Sequence, residues 1–162
     1  MPEIKTTNVL SRDDLREAVA NCRRQNKTIV ATNGCFDILH VGHLHLLNQA
    51  KALGDILIVG INSDRSVSKL KGPERPVVNE NERAQIVANL KAVDLVSIFD
   101  EDTAVELLKS LKPDIYVKGG DYNLKNLPEA EPVISCGGKV KFIELAARKS
   151  TTGLIDKIKL LS

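Results

Sequence analysis

Residues 28–54 read TIVATNGCFDILHVGHLHLLNQAKALG, and the order of apolar and glycine residues in this stretch decides the fold. The opening TIVAT is a short β-branched run that ends at Asn33-Gly34, as a strand ends at a turn. From Leu44 onward, apolar residues recur at helical spacing until Gly54 ends the run. A strand, a glycine turn and a helix are therefore predicted in succession.

The same alternation of short apolar runs and helical patterns continues along the chain. It predicts a leading helix over 11–26, strands over 55–61, 93–99, 115–117 and 139–143, and helices over 82–90, 103–111, 129–135 and from about 151. Short strands alternating with amphipathic helices favour a mainly parallel sheet with helices on both faces. We therefore predict a doubly wound α/β fold in a single domain, with residues 1–27 as a leading helix packed on residues 28–162. Ligands of such sheets bind beyond the carboxyl ends of the strands.

The composition excludes several classes of protein. The chain has 162 residues, a net charge of +2 and only five aromatic residues, whereas a nucleic-acid groove needs a basic face and stacking rings. Its three cysteines, Cys22, Cys35 and Cys136, are widely spaced, which favours unpaired thiols in a reducing compartment. The most apolar run, 56–61, is too short to span a bilayer, and the first residues lack the apolar core of an export signal. We expect a cytoplasmic protein with neither a nucleic-acid nor a membrane partner.

The three histidines of the chain lie within six residues of one another. If the helix begins near Gly42, its free N–H groups and positive dipole end form an anion site, and His40 and His43 beside it can donate hydrogen bonds to phosphate. The alternatives are a zinc site or satisfied structural groups. Against zinc, His43 and His45 fall on different faces of a helix, and Asp37 is the only carboxylate at short spacing. Phosphate binding by His40 and His43 is therefore favoured, and His45 is expected to be structural.

A family resemblance rests on the residues around these histidines. The spacings GxxxxGK[ST] and GxGxxG are absent after the first strand, which disfavours an ordinary NTPase and a dinucleotide-dependent oxidoreductase. The run GCFDILHVGH instead resembles the GxFDxxHxGH signature of nucleotidyltransferases related to the cytidylyltransferases. Further segments match in the same order, namely 54–64, 75–76 with 81–83, 117–122 (VKGGDY) and 150–155 (STTGLI).

VKGGDY and STTGLI look most like the heptose-1-phosphate adenylyltransferases, which make ADP-heptose for bacterial lipopolysaccharide or other surface glycans. That domain is often fused to a sugar kinase, and we expect a stand-alone version here. The resemblance implies a Rossmann-like nucleotidyltransferase fold, transfer of AMP from ATP to a heptose 1-phosphate, Mg²⁺ bound with ATP, and a homo-oligomer, a dimer or larger.

The resemblance also assigns roles to residues. It assigns catalysis to His40, His43, Lys69 and Lys71. It assigns nucleotide and phosphate binding to Asn33, Gly34, Cys35, Phe36, Gly42, Lys118, Gly119, Asp121, Ser150, Thr151 and Thr152. It assigns sugar-phosphate binding to Asp37 and Arg83. We expect no nucleophilic role for Cys35, because the related chemistry uses no protein nucleophile.

Several of these assignments keep a second interpretation. The two lysines lie at the start of a charge-rich stretch, 69–76, that looks like a mobile lid, and which lysine contacts which phosphate stays open. Arg83 is either a substrate contact or an exposed helical arginine, and Asp121 is either a hydroxyl acceptor or a turn residue. Relatives carry an arginine in RTEGISTT that is displaced here, so Arg148 and Lys149 are both candidates for that charge.

Two rival functions share most of these motifs. One is a CTP-dependent cytidylyltransferase that acts on glycerol 3-phosphate or a similar alcohol phosphate, and the nucleotide used separates it from an adenylyltransferase. The other is a non-catalytic nucleotide-binding or sensing domain. The intact His40, Gly42 and His43 argue against that second rival, because a pure binder has less need of groups aimed at reacting phosphates.

Overall fold

The structure, a computed structural model, describes residues 8–120, 122–144 and 151–161. Within these residues the chain alternates between helices and strands along its whole length. The elements are α1 (Arg12–Arg24), β1 (Ile29–Gly34), α2 (Val41–Lys51), β2 (Ile56–Asn62), α3 (Asp64–Lys71), α4 (Glu80–Ala88), β3 (Leu95–Phe99), α5 (Val105–Leu111), β4 (Ile115–Gly119), α6 (Ala130–Ser135), β5 (Lys139–Ile143) and α7 (Thr151–Lys159).

The strands form one sheet in the order β3-β2-β1-β4-β5, and all four pairings between them are parallel. The chain therefore builds outward from β1 to β3, and then starts again with β4 on the other side of β1. This reversal confirms the predicted doubly wound α/β fold. It also opens a crevice beyond the carboxyl ends of β1 and β4, which is where such folds bind ligands.

Alternate residues of the central strand enter two separate cores. Val30 packs in a cluster with Leu47 of α2 and Val87 of α4. Ile29, on the opposite face of β1, packs in a second cluster with Leu15 of α1 and helices α5 and α6. Helices thus cover both faces of the sheet, as the alternation along the sequence predicted. Within the described residues no helix is long and apolar enough to cross a membrane.

Three aspartates secure the amino-terminal edge of the sheet. Each directly precedes a strand, and its carboxylate accepts a backbone N–H at the start of the neighbouring strand. The pairs are Asp55 with Thr28 (2.7 Å), Asp94 with Leu57 (2.6 Å) and Asp114 with Ile29 (2.7 Å). These bonds satisfy donors at the strand ends and help to hold the parallel register.

The prediction of one lid segment over 69–76 is wrong at its beginning. Lys69 and Lys71 lie in the last turn of α3, which sequence analysis did not predict. The hydroxyl of Ser63 accepts the N–H of Ser66 and so caps this helix at its start. The helix ends at Gly72, which has a φ of 107°, a conformation that glycine adopts without steric cost.

We predict that Asp94→Ala lowers the free energy of unfolding by about 1.5–3 kcal/mol, the range for a hydrogen bond to a charged group. The substitution leaves the N–H of the fully buried Leu57 without its acceptor and removes the partner of Lys51 (2.6 Å). Urea denaturation followed by circular dichroism measures the change. Asp13→Ala is the matched control, because the Asp13 side chain is 90% exposed and its ion pair with Arg16 lies on the surface. Equal stability of the two variants would contradict the prediction.

Candidate active site

Two histidines cap the start of α2. The Nδ1 atom of His40 accepts the N–H of Gly42 at 3.1 Å, and the Nδ1 atom of His43 accepts the N–H of His40 at 3.4 Å. A neutral imidazole has one acceptor nitrogen and one N–H. Because Nδ1 is the acceptor in both rings, Nε2 carries the proton in both. The two caps therefore present a pair of Nε2–H donors beside the positive end of the helix dipole.

The two imidazoles are stacked, with ring centroids 3.9 Å apart and an interplanar angle of 24°. Burial, together with the neighbouring His40, lowers the pKa of His43 to about 4. His43 is therefore neutral at physiological pH, and it acts as a hydrogen-bond donor without carrying a charge.

The turn between β1 and α2 is shaped by Gly34 and Phe36. Phe36 has a φ of 47°, a conformation uncommon for a non-glycine residue, and its ring is buried in the core beside His43. A Cβ atom on Gly34 would lie 3.0 Å from that ring, which is closer than ordinary packing. Glycine at position 34 thus leaves room for Phe36, and the turn carries the chain from the end of β1 to the histidines.

A cavity, called here the first cavity, opens between the start of α2, the end of β4 and the start of α7. The residues on its wall are Asn33, Gly34, Phe36, His40, Gly42, His43, Leu46, Lys71, Arg75, Lys118, Gly119, Thr151 and Thr152. The wall carries three cationic side chains, and none of its described residues is acidic. Thr151 also donates its hydroxyl to the carbonyl oxygen of Ile38 (3.0 Å), which ties α7 to the turn. The first cavity is suited to a polyanion.

A second cavity lies on the other side of Asn33 and shares part of the same wall. The residues common to both cavities are Asn33, Gly34, Lys71, Lys118 and Gly119. Unlike the first cavity, the second includes two carboxylates, those of Asp102 and Glu129. Glu129 is 5% exposed, and its Oε1 accepts the N–H of Ala104 at 3.2 Å. The site is therefore divided into a cationic half and a half of mixed charge, which meet at the ends of β1 and β4.

The two predicted lysines face different partners. The Lys71 side chain lines both cavities, whereas the Lys69 ammonium pairs with Asp102 and lies on neither wall. Lys118 lies between the cavities, where burial lowers the pKa of its ammonium and the nearby Glu129 opposes that shift. The structure therefore favours Lys71 over Lys69 as a ligand-binding group.

The predicted sugar-phosphate residues lie behind the cavities and are not on their walls. The side chain of Asp37 is 1% exposed and accepts the N–H groups of Val77 and Val78 and the Nε–H of Arg75. Burial alone raises the pKa of the Asp37 carboxyl, but the two N–H groups and Arg75 together hold it below its usual value. Asp37 is therefore an ionised anchor for the segment that carries Arg75 to the first cavity.

Arg83 is fully buried, so the alternative of an exposed helical arginine is wrong. Its guanidinium donates to the carbonyl oxygens of Val78 (2.9 Å) and Cys35 (2.5 Å) and to the carboxylate of Asp64 (2.7 Å). These bonds tie the turn after β1 to the starts of α3 and α4. Arg83 is therefore placed to hold the walls of the site together, which is a different role from the predicted substrate contact.

Cys35 lines the second cavity, and burial raises the pKa of its thiol against the opposing effect of nearby cations, Lys71 first. A protonated thiol is a poor nucleophile, which agrees with the expected lack of a nucleophilic role. Four predicted residues, Asp121, Arg148, Lys149 and Ser150, lie outside the described residues.

Comparison with known proteins identifies the family. A family model described as cytidylyltransferase-like matches residues 31–154. The chain belongs to the cytidylyltransferase-like family. The resemblance noted from the GCFDILHVGH run is thus confirmed.

Relatives of this cytidylyltransferase-like chain are longer proteins. The chain is 50% identical over 147 residues to the bifunctional protein HldE of Syntrophotalea carbinolica, covering 91% of this chain and 30% of that protein. It is 54% identical over 149 residues to the bifunctional protein HldE of Koribacter versatilis, covering 92% of this chain and 31% of that protein. The chain therefore spans less than a third of the length of these relatives.

Solved structures show the same architecture. The lipopolysaccharide core biosynthesis protein of Thermoplasma volcanium matches with a TM-score of 0.59 and 31% identity, over 76% of this chain and 99% of that one. Pantoate-beta-alanine ligase of Francisella tularensis matches with a TM-score of 0.60 over 91% of this chain and 70% of that one, at 14% identity. The second likeness shows the shared fold alone.

Sequence analysis missed three residues that shape the site of this cytidylyltransferase-like chain. They are Asp102, Tyr116 and Glu129. Tyr116 lies in the apolar run of β4 and therefore resembles an ordinary core residue in the sequence. Asp102 and Glu129 precede helices and resemble surface charges.

We predict that His43 titrates with a pKa of about 4 in the free protein, well below the ordinary imidazole value near 6.5. The unfolded chain then binds the proton more readily, so the free energy of unfolding falls as the pH drops from 6.5 towards about 4. The pH dependence of the His43 Hε1 chemical shift measures the pKa, with His43→Gln to assign the signal. A midpoint near the ordinary value would contradict the prediction.

Proposed function

We propose that this chain transfers AMP from ATP to a heptose 1-phosphate, giving ADP-heptose and pyrophosphate. The observation that carries the proposal is the divided site, with a cationic cavity at the start of α2 joined to a second cavity that also holds carboxylates. The VKGGDY and STTGLI segments support heptose 1-phosphate and ATP as substrates. The HldE relatives are named bifunctional, and this chain matches only 30% of the first of them, so we assign it one of their two activities.

The reaction needs positioning and charge neutralisation more than acid–base chemistry. An anionic oxygen of the sugar phosphate attacks the α-phosphorus of ATP and forms a new P–O bond. The bond from the α-phosphorus to the bridging oxygen breaks, and pyrophosphate leaves with the electron pair. No proton has to be removed from the attacking oxygen. The protein therefore accelerates the reaction by aligning the two phosphates and stabilising the developing charge.

The first cavity is the proposed site of the triphosphate. The Nε2–H groups of His40 and His43 donate to its oxygens, and Lys71 and Lys118 neutralise its charge. The start of α7 adds the hydroxyl of Thr152, while Thr151 is held by its bond to the turn. Because His43 is neutral, it contributes one donor whose strength does not vary across physiological pH.

The second cavity is the proposed site of the sugar phosphate. Carboxylates accept hydrogen bonds from sugar hydroxyls, and the buried Glu129 is held in place by the N–H of Ala104. Lys71 and Lys118, which line both cavities, face the junction where the sugar phosphate meets the nucleotide. A ligand with both hydroxyls and a phosphate fits this mixture of charges.

Mg²⁺ is proposed to enter with ATP. Among the described residues no group of three His, Cys, Asp or Glu side chains is placed to hold a metal ion. The described residues therefore do not form a magnesium site by themselves, and the ion would be held by phosphate oxygens and water. When bound, it neutralises phosphate charge.

The proposed location is the cytoplasm, where ATP is available. Cys22, Cys35 and Cys136 are unpaired in the structure, which agrees with a reducing compartment. Assembly into a dimer or larger oligomer remains a proposal from the family resemblance.

Pyrophosphate release with a panel of ATP or CTP and sugar or alcohol phosphates tests the function. We expect release with ATP and a heptose 1-phosphate, and a fall in kcat of about 10²–10³ in His43→Ala, the usual cost of losing one transition-state donor. His45→Ala is the matched control, because His45 lies on the same helix but on neither cavity wall. Turnover only with CTP would contradict the prediction that ATP is the nucleotide substrate. Normal turnover by folded His43→Ala would contradict the proposed role of His43 in the mechanism.

The two lysines of α3 provide a second test. We expect Lys71→Ala to lower kcat/KM at least about tenfold more than Lys69→Ala, because Lys71 lines both cavities and Lys69 pairs with Asp102. Steady-state kinetics with ATP as the varied substrate compares the two variants. A larger loss in Lys69→Ala would reverse the assignment of the phosphate-binding lysine.

A further inference from the structure

Asn33 occupies the junction of the two cavities, at the carboxyl end of β1 where the strand order reverses. The residue is 9% exposed. The Oδ1 atom accepts two hydrogen bonds, from the hydroxyl of Tyr116 at 2.5 Å and from the ammonium of Lys118 at 3.3 Å. With both donors on its oxygen, the amide must turn its Nδ2 away from them. Among the described residues no acceptor takes a hydrogen bond from Nδ2, although the residue lines both cavities.

Tyr116 donates its hydrogen bond to this amide from inside the core. Its side chain is fully buried, and burial raises the pKa of its phenol, so the hydroxyl remains a donor. A buried hydroxyl needs a partner, and Asn33 Oδ1 is the partner found. The ring packs with Leu107 and Ala31 in the core beneath the site, so the direction of the hydroxyl is set by the fold.

Gly60 of β2 lies beside Asn33, on the side of β1 opposite Tyr116. It pairs with Asn33 in the register of β1 and β2. A Cβ atom on Gly60 would lie 3.2 Å from the Cβ of Asn33 and 2.6 Å from Leu107. The side chain of Asn33 is therefore packed closely between the β2 backbone and the Tyr116 hydroxyl. Such packing fixes the orientation of the amide before any ligand binds.

We propose that Tyr116 is a positioning residue that orients the Asn33 amide, so that Asn33 Nδ2 donates to a phosphate oxygen where the two cavities meet. The inference rests on the proposed function, which brings the attacking phosphate and the α-phosphoryl group of ATP together at this junction. An amide dipole fixed in advance stabilises charge that develops in the transition state and needs no reorientation at that moment. Losing the fixed orientation of this amide is therefore expected to lower kcat more than it changes KM.

Tyr116→Phe tests the proposal by removing one oxygen and keeping the ring. We expect kcat to fall at least about tenfold with KM for ATP changed by less than about twofold, and Asn33→Ala to lower kcat by about 10²–10³. In the Asn33→Ala background, Tyr116→Phe is expected to have no further effect on kcat. Additive effects on kcat, or wild-type kcat in a folded Tyr116→Phe protein, would overturn the proposal.

Thr32→Val is the matched control. Thr32 precedes Asn33 in β1, is 2% exposed, and its Oγ1 has no hydrogen-bond partner among the described residues. This variant also loses one buried hydroxyl beside the site, but we expect its kcat to equal that of the wild type. A loss in Thr32→Val as large as in Tyr116→Phe would show that general disturbance of the core explains the result, and would overturn the proposal.

A binding measurement separates this inference from the proposed function. We expect the Asn33 side-chain amide signals in NMR spectra to shift when Mg²⁺-ATP is added to the wild type, and to shift less in Tyr116→Phe. If ATP shifts these signals less in Tyr116→Phe than in the wild type, but no acceptor supports pyrophosphate release, the positioning role stands and the proposed function fails. If the enzyme turns over but the Asn33 signals and kcat are unaffected in these experiments, the positioning role fails and the proposed function stands.

Discussion

Hydrogen bonds from backbone N–H groups to the Nδ1 atoms of His40 and His43 are the interactions on which the rest of the site depends. A serine at the start of α2 would satisfy a free N–H equally well, but it would present no ring N–H to a ligand. Using imidazoles as caps fixes the tautomer of both rings and leaves the proton of each ring on Nε2. Protonation of either Nδ1 would break a cap, so the low pKa of His43 agrees with its place in the helix start. Under the proposed function, helix capping and phosphate binding are thus carried by the same two side chains.

The reversal of strand order opens a crevice beside the start of α2. Because β4 returns to the side of β1 opposite β2, the last residues of β1 and β4 meet without a helix crossing above them. Earlier residues of the same strands, such as Val30 and Val117, are fully buried core. Near the carboxyl end of β1, by contrast, the amide oxygen of Asn33 has polar partners from β4. The buried sheet forms the base of the site, and both cavities lie at the carboxyl ends of its strands.

Local signals in the sequence were enough to predict the fold and the histidine pair, because a strand, a turn and a capped helix are each encoded by neighbouring residues. Roles that depend on distant partners were not predictable. Arg83 donates to a carbonyl oxygen 48 positions away, and Asp37 accepts an N–H 40 positions away, so their motif positions suggested ligand contacts where the fold uses them as anchors. Lys69 and Lys71 could not be told apart, because α3 was not predicted and its faces were unknown.

Under the proposed function, the division of charge between the two cavities sorts two phosphorylated ligands within one small site. The carboxylate of Glu129 disfavours a triphosphate in the second cavity, whereas the first cavity has three cationic side chains and no acidic residue among the described residues of its wall. A sugar phosphate has fewer charges and many hydroxyls, so it tolerates the carboxylates that exclude the nucleotide. The two ligands nevertheless bring their phosphates together, and like charges at contact distance repel one another. Lys71 and Lys118 lie on the shared wall where that repulsion is greatest, and a chain with a net charge of only +2 therefore concentrates its useful cations where the reaction needs them.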